Sequence, residues 1–448
     1  MNGTTPRLRR GLAIALAGAL TATLITAQAA SARPATTDAL YVPPPNHDAK
    51  LQIAALTAQQ RTSEANLIRS MIRTPQAVWF TAGSPASVEQ DVHETVVRAA
   101  AKRTVPVLVA YNIPFRDCAQ FSAGGATNVA EYKSWIDGFA AGIGDRRAIV
   151  ILEPDGLGII PWYDPYGGAD GSNTLEWCQP AEADPATAAS DRFDMLRYAV
   201  DKLADHPAVA TYLDGTHSAW LGAGDIAERL TRAGIDDTAG FFLNVSNYQL
   251  TSNSVQYGEW VSECIAYATS VAPGNFVGCP NQYWNGGPFP AKIADLLGEW
   301  TGVALSRYGV WSDTTTTPEL NTSGETLRYS TTAGATHFVI DTSRNGLGPW
   351  QYPSTYPSDG VAQDWCNPPG RGLGTRPTAS TGVPLLDAYL WIKVPGESDG
   401  SCNRGGASNV DPEWAALTGN PAFVDPAAGQ WFPEQALQLA RLASPPLP

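Results

Sequence analysis

Residues 148–155 read AIVILEPD: five apolar positions, three of them β-branched, closed by Glu153, Pro154 and Asp155. An apolar run of that length with no alternation is a strand buried on both faces, the kind found in parallel sheets covered by helices. The same pattern recurs in both directions along the chain. Further strands are expected at 77–82 (AVWFTA), 105–112 (VPVLVAYN), 209–214 (VATYLD), 240–247 (GFFLNVSN), 336–341 (THFVID) and 388–394 (AYLWIKV). Amphipathic stretches near 50–72, 86–102, 128–143, 187–204, 223–234, 253–270 and 290–306 lie between them and are expected to be helices. Seven alternating units predict an α/β fold, a distorted seven-stranded parallel barrel of the TIM-like kind. Residues 48–448 are expected to form this one domain.

Polar residues gather where the strands stop. Asp117 follows the second strand, Asp155 ends the third, Asp214 the fourth, Asn244 and Asn247 the fifth and Asp341 the sixth; Asp399 lies just beyond the seventh. Active sites of α/β barrels sit at the C-terminal strand ends. Helix capping could account for any one of these acids, but it does not account for the whole series. Paired carboxylates are what glycosidic bond hydrolysis requires: a proton donor on one side and a carboxylate or activated water on the other. Rival chemistries lack their parts. The five histidines make no zinc spacing, and there is no G-x-S-x-G elbow. The run GRGLG (370–374) follows Pro369 rather than a strand, so it reads as a turn. Fourteen tryptophans supply apolar faces on which sugar rings stack. Trp135 and Trp391 read as core, whereas Trp220 and Trp365 lie in polar, glycine-containing loops.

Composition agrees with a large folded protein. The 448 residues carry a net charge of −14, with 16% charged and 44% hydrophobic residues, 42 glycines and 35 prolines. Nucleic acid and anionic membrane surfaces are excluded as partners because both require positive charge. At the N-terminus, Arg7, Arg9 and Arg10 precede an apolar stretch and the small-residue site Ala30-Ser31-Ala32. That order predicts a secretory signal peptide over 1–32, a secreted extracellular protein and no membrane association after cleavage. Residues 33–47 are proline-rich and read as an extended lead-in. Six cysteines in an exported chain suggest disulfides. Proximity in sequence favours Cys118–Cys178, Cys264–Cys279 and Cys366–Cys402, one of fifteen possible pairings.

YNIPFRDCAQ (111–120), ILEPDGLG (151–158), YLDGTHSAWLG (212–222), NVSNY (244–248), DWCN (364–367) and IKVPGESDG (392–400) occur in this order. The series resembles glycoside hydrolase family 6, the inverting cellulases, over nearly all of the chain after residue 32. That resemblance implies the distorted seven-stranded barrel, with cellulose and cello-oligosaccharides as partners. It further implies Asp155 as general acid, Asp117 as the carboxylate that tunes it and Asp399 as candidate base. Tyr111 matches the tyrosine that helps to distort the sugar. Trp79 matches a stacking residue on the non-reducing side, and Trp220 and Trp365 match stacking residues on the leaving-group side. Asp214, His217, Asn247, Lys393 and Glu397 match polar sugar contacts. Two positions depart from the family. Ala123, next to Ser122, stands where many members carry a serine, and Ala223 stands where some carry another tryptophan.

Long segments at 155–187, 248–290 and between Asp341 and Leu386 are expected to be disulfide-tied loops over the C-terminal face, roofing a tunnel. They most resemble those of the bacterial exo-acting members. The resemblance therefore implies a cellobiohydrolase acting at non-reducing ends, with an endoglucanase and a non-catalytic glucan-binding protein as the alternatives. No metal or organic cofactor is required by this chemistry, although acidic loops leave a structural calcium open. A monomer is expected.

Overall fold

Each strand of the central sheet hydrogen-bonds to its neighbours in chain order, and every pairing is parallel. The computed structural model describes Met1, Gly3 and residues 33–35, 37–164, 176–271, 273–276, 279, 334–353, 356 and 363–448. The expected signal peptide and the helix expected at 290–306 therefore lie outside the described residues. So does part of each long segment. Residues 31–448 form one unit, separate from residues 1–30.

The strands are β1 (Val78–Phe80), β2 (Val107–Ala110), β3 (Ala148–Leu152), β4 (Val209–Asp214), β5 (Gly240–Leu243), β6 (His337–Asp341) and β7 (Leu386–Leu390). Helices α1 (His47–Ala58) and α2 (Thr62–Ile72) precede β1. Helices α3 (Pro85–Ala101), α4 (Val129–Ile143), α5 (Ala188–Ala204) and α6 (Ala223–Arg232) connect the first five strands, and α7 (Thr251–Ala266) follows β5. After β7 come α8 (Pro412–Thr418) and α9 (Pro433–Arg441). Local chemistry sets several starts. Ser84 caps α3 by accepting from the Ser87 N–H, with Pro85 in the first turn. Asn128 caps α4 through the Glu131 N–H.

Alternate residues of each strand point to opposite sides, and both sides are dry. Val107, Val109, Ile149, Ile151, Tyr212 and Phe242 fill the inside of the sheet's curve. Leu108, Val150, Leu152, Leu213, Phe241 and Phe338 face outward against the helices. Burial on two faces is why the strands read as continuous apolar runs.

The curve does not close into a complete barrel. Among the described residues, β1 and β7 meet through two contacts: Ala77 N–H to Trp391 O at 2.9 Å and the Trp79 indole N–H to Ile392 O at 2.8 Å. Instead, Thr378 pairs with Tyr389 on the far edge of β7 in an antiparallel bridge. Beneath that seam, Trp391 and Trp431 pack with α2 and α9 through Ile68, Met71, Leu437 and Leu439. The result is a curled half-barrel, in agreement with the distorted barrel expected from sequence.

All three favoured disulfides are formed. Cys118–Cys178 joins the loop after β2 to the segment after β3, and Cys366–Cys402 joins the segments after β6 and β7. Cys264–Cys279 ties the last turn of α7 to the segment that follows it. The single helix expected at 50–72 is two helices, because Gln60 adopts a left-handed φ of 61° and breaks the run. In the lead-in, Leu40 pairs with Val105 ahead of β2. Among the described residues no helix is long and apolar enough to cross a membrane.

Candidate active site

The strands stop where polar residues begin, and the loops they release enclose a cleft of about 580 Å³. Ten of the twelve residues singled out from sequence line it. Trp79 and Tyr111 come from the ends of β1 and β2, and Asp117 and Asp155 from the next two loops. His217, Trp220 and Asn247 follow β4 and β5, while Trp365, Lys393 and Asp399 complete the wall beyond β6 and β7.

Asp214 and Glu397 are not brought to the cleft wall. Asp214 is buried behind the acid loop and accepts from the N–H groups of Leu157 (3.2 Å), Gly158 (3.1 Å) and Thr216 (2.8 Å). It stands at the end of β4, as expected, but its carboxylate serves the backbone. Glu397 accepts from the Asn46 side chain at 3.3 Å.

Two adjacent loops carry Asp117 and Asp155, and both are conformationally costly. Asp117, Cys118, Glu153 and Asp155 all have positive φ, between 45° and 62°. Buried side chains hold them there. The Glu153 carboxylate, fully buried, accepts from the N–H groups of Asn112 and Ile113 at 2.9–3.0 Å and so locks the β3 end to the β2 loop. Arg192 of α5 donates to Gly156 O, Ile159 O and Pro114 O at 2.6–2.8 Å. Arg229 of α6 donates to Leu157 O at 2.8 Å while paired with Asp225 and Glu176. These clamps escaped the sequence reading because a buried arginine on a helix looks like any solvent-facing one.

The carboxylates in the cleft are in opposite electrostatic situations. Burial pushes the Asp155 carboxyl well above the usual range, and the charges of Asp214, Asp117 and Asp399 push it further. Among the described residues no group donates a hydrogen bond to it. Burial also raises Asp117, against the Ser122 N–H at 2.7 Å and the nearby Arg116. For Asp399, burial alone would act in the same direction, but Arg344 and Lys393 outweigh it and hold the carboxyl below its ordinary value. Arg344 lies at 2.8 Å, Lys393 at 3.3 Å and the Asn367 N–H at 2.9 Å. One carboxyl is thus pushed up and another held down within a single cleft, the separation that acid–base chemistry needs.

Around them the aromatic groups are fixed. Trp79 meets Tyr111 edge-on at 5.4 Å, with its indole N–H already committed to Ile392 O. The Trp220 ring lies against Gly158, where a β-carbon would come within 2.5 Å of it, so only glycine allows the indole to rest on the acid loop. His217 packs beside Trp220 at 5.6 Å. Burial lowers its pKa to about 3, and its Nδ1 accepts from the Ala219 N–H at 3.2 Å, so the ring is neutral with its proton on Nε2. Ser122, Tyr248 and Trp177 also line the cleft and were not assigned to it from sequence.

A family model, Glycosyl hydrolases family 6, matches residues 35–443. The chain belongs to that family. As a family 6 member it is a glycosidase and a cellulase, and its relatives carry two kinds of name. It is 31% identical to "Endoglucanase A" of Thermobispora bispora over 447 residues, covering 98% of this chain and 71% of that protein. It is also 31% identical to "Probable 1,4-beta-D-glucan cellobiohydrolase C" of Aspergillus fumigatus over 363 residues, covering 76% of this chain and 62% of that one. Among solved structures, the endoglucanase Cel6 of Mycobacterium tuberculosis, in complex with methyl-cellobiosyl-4-deoxy-4-thio-β-D-cellobioside, is 31% identical. Its TM-score is 0.57, with 93% of this chain and 99% of that chain covered.

Proposed function

We propose that this family 6 cellulase hydrolyses β-1,4-glucan with inversion, releasing cellobiose from the non-reducing ends of the chains. The observation that carries acid–base hydrolysis is that one cleft holds Asp155, pushed up by burial and neighbouring carboxyls, and Asp399, held down by Arg344 and Lys393; family membership supports inversion. Asp155 gives its proton to the glycosidic oxygen as the C1–O bond breaks. Water attacks C1 from the opposite face, and its proton passes towards Asp399, directly or through further waters. Asp117 adds negative charge that keeps Asp155 protonated. Trp79, Trp220 and Trp365 offer ring faces to the sugars. His217, Asn247 and Lys393 address the hydroxyl edges, and Tyr111, with Arg116 stacked on its ring at 4.5 Å, shapes the cleavage point.

Support for exo action is the sequence of the long segments at 155–187, 248–290 and between Asp341 and Leu386, which most resemble those of the bacterial exo-acting members. Endo action is the second reading, supported by the endoglucanase names of the Thermobispora bispora and Mycobacterium tuberculosis relatives. Proton NMR of fresh cellohexaose hydrolysis separates these. Early α-anomeric cellobiose is the expected result. Early α-anomeric products of mixed length would move the assignment to an endoglucanase, and β-anomeric products would overturn inversion.

We further propose that the enzyme is exported. The basic, apolar and small-residue order of 1–32 and the three disulfides support this. N-terminal sequencing of protein recovered from the culture medium is expected to begin at Arg33. A start at Met1 or Asn2, or protein confined to cells, would sink the idea.

A further inference from the structure

Trp177 is the only tryptophan among the described residues that is exposed, with 53% of its surface open. Its ring lines the same cleft as Asp155, Asp117 and Trp220. Leaving an indole in water forgoes the stabilisation that burying so large an apolar surface would give. Loose loops tolerate that, but the backbone at Trp177 is anchored on both sides. Before it, the Glu176 N–H donates to Tyr163 O at 2.8 Å, and the Glu176 carboxylate pairs at 2.7 Å with the buried guanidinium of Arg229. After it, fully buried Cys178 is disulfide-bonded to Cys118, next to Asp117, and its carbonyl accepts from the Trp162 N–H at 3.0 Å. The neighbours are fixed and the ring is presented.

We propose that Trp177 is a sugar platform of this cleft, stacking on a glucosyl unit of the β-1,4-glucan on the leaving-group side of Asp155. The side follows from Arg229. The same guanidinium that holds Glu176 also holds Leu157 O, and the Trp220 ring rests on Gly158 immediately after it. Trp177 and Trp220 therefore flank one acid loop. This assignment rests on the proposed function, and its test separates the two.

The test compares kcat/KM for cellotriose and cellohexaose in the wild type, Trp177→Ala and Trp177→Phe, with folding checked by circular dichroism. For Trp177→Ala the cellohexaose value is expected to fall about tenfold, the scale for one lost anchor in a binding site. The fall for cellotriose is expected to be clearly smaller, and phenylalanine should restore most of the cellohexaose loss. An equal fall for both lengths, no fall for cellohexaose, or a phenylalanine variant as poor as alanine would overturn the platform. Wild-type enzyme that cleaves neither oligosaccharide would instead overturn the functional reading, and the platform with it.

Discussion

Asp155→Ala is expected to lower kcat on cellohexaose by about a thousandfold, within the range that a positioned general acid supplies. Cleavage of an aryl cellobioside whose phenol leaves without protonation should fall far less, because that departure does not need the proton. The contrast matters more than the loss itself. The Asp155 carboxyl accepts no hydrogen bond and forms no ion pair among the described residues, so replacing it breaks no polar contact and should not destabilise the fold. A variant with unchanged activity on cellohexaose would remove Asp155 from the role of acid. Equal losses on both substrates would point to a positional role for the side chain.

Arg344→Leu should have the second largest effect, and it acts through Asp399. Arg344 is fully buried and donates to the Asp399 carboxylate at 2.8 Å, and its guanidinium also stacks on Tyr248 at 4.4 Å. With Arg344 present, the folded carboxyl titrates below its unfolded value. The pairing therefore contributes stability fully present above the unfolded value, near 3.9, and lost as the pH falls through the folded one. Without Arg344 the largest lowering influence is gone, and the carboxyl is expected to titrate higher. The acid limb of the pH–rate profile is then expected to move to higher pH. Denaturant unfolding at neutral pH should show a loss of about 3 kcal/mol, the scale for breaking a buried pair from one side. Arg344→Lys should recover part of both. An acid limb that stays in place would show that an ionised Asp399 does not limit the reaction.

Much of the fold was legible because its strands are buried on both faces and so read as continuous apolar runs. The errors concentrate at the site. Residues 111–112, 153–154 and 244–247 read as strand continuations by composition, yet they leave the ladder. Glu153 and Asn244 take positive φ there, and their polar groups bond loop backbone. Helices α8 and α9 went unseen; each begins at a proline, and proline-rich sequence reads as loop until the capping geometry is known. Ten cleft residues were found because strand ends and matched motifs marked them. Glu153, Arg192, Arg229 and Arg344 were not, since their contribution depends on partners 40 to 78 residues away in the chain. Trp177 was missed because the sequence beside Cys178 shows neither what is anchored nor what is exposed.

The packing of α2 against α9 has a consequence for how the protein is made. Each strand pairs with its predecessor, so the sheet can grow in the order in which the chain emerges. The contacts beneath the seam cannot. Glu64 pairs with Arg441, and the Ser70 hydroxyl donates to the carbonyl of Pro448, across 377 and 378 positions of sequence. During translation the apolar faces of Ile68 and Met71 must therefore wait, uncovered, until α9 has emerged. A ribosome that stalls before α9 holds a chain with its sheet assembled and its floor missing, a natural target for chaperones and proteases.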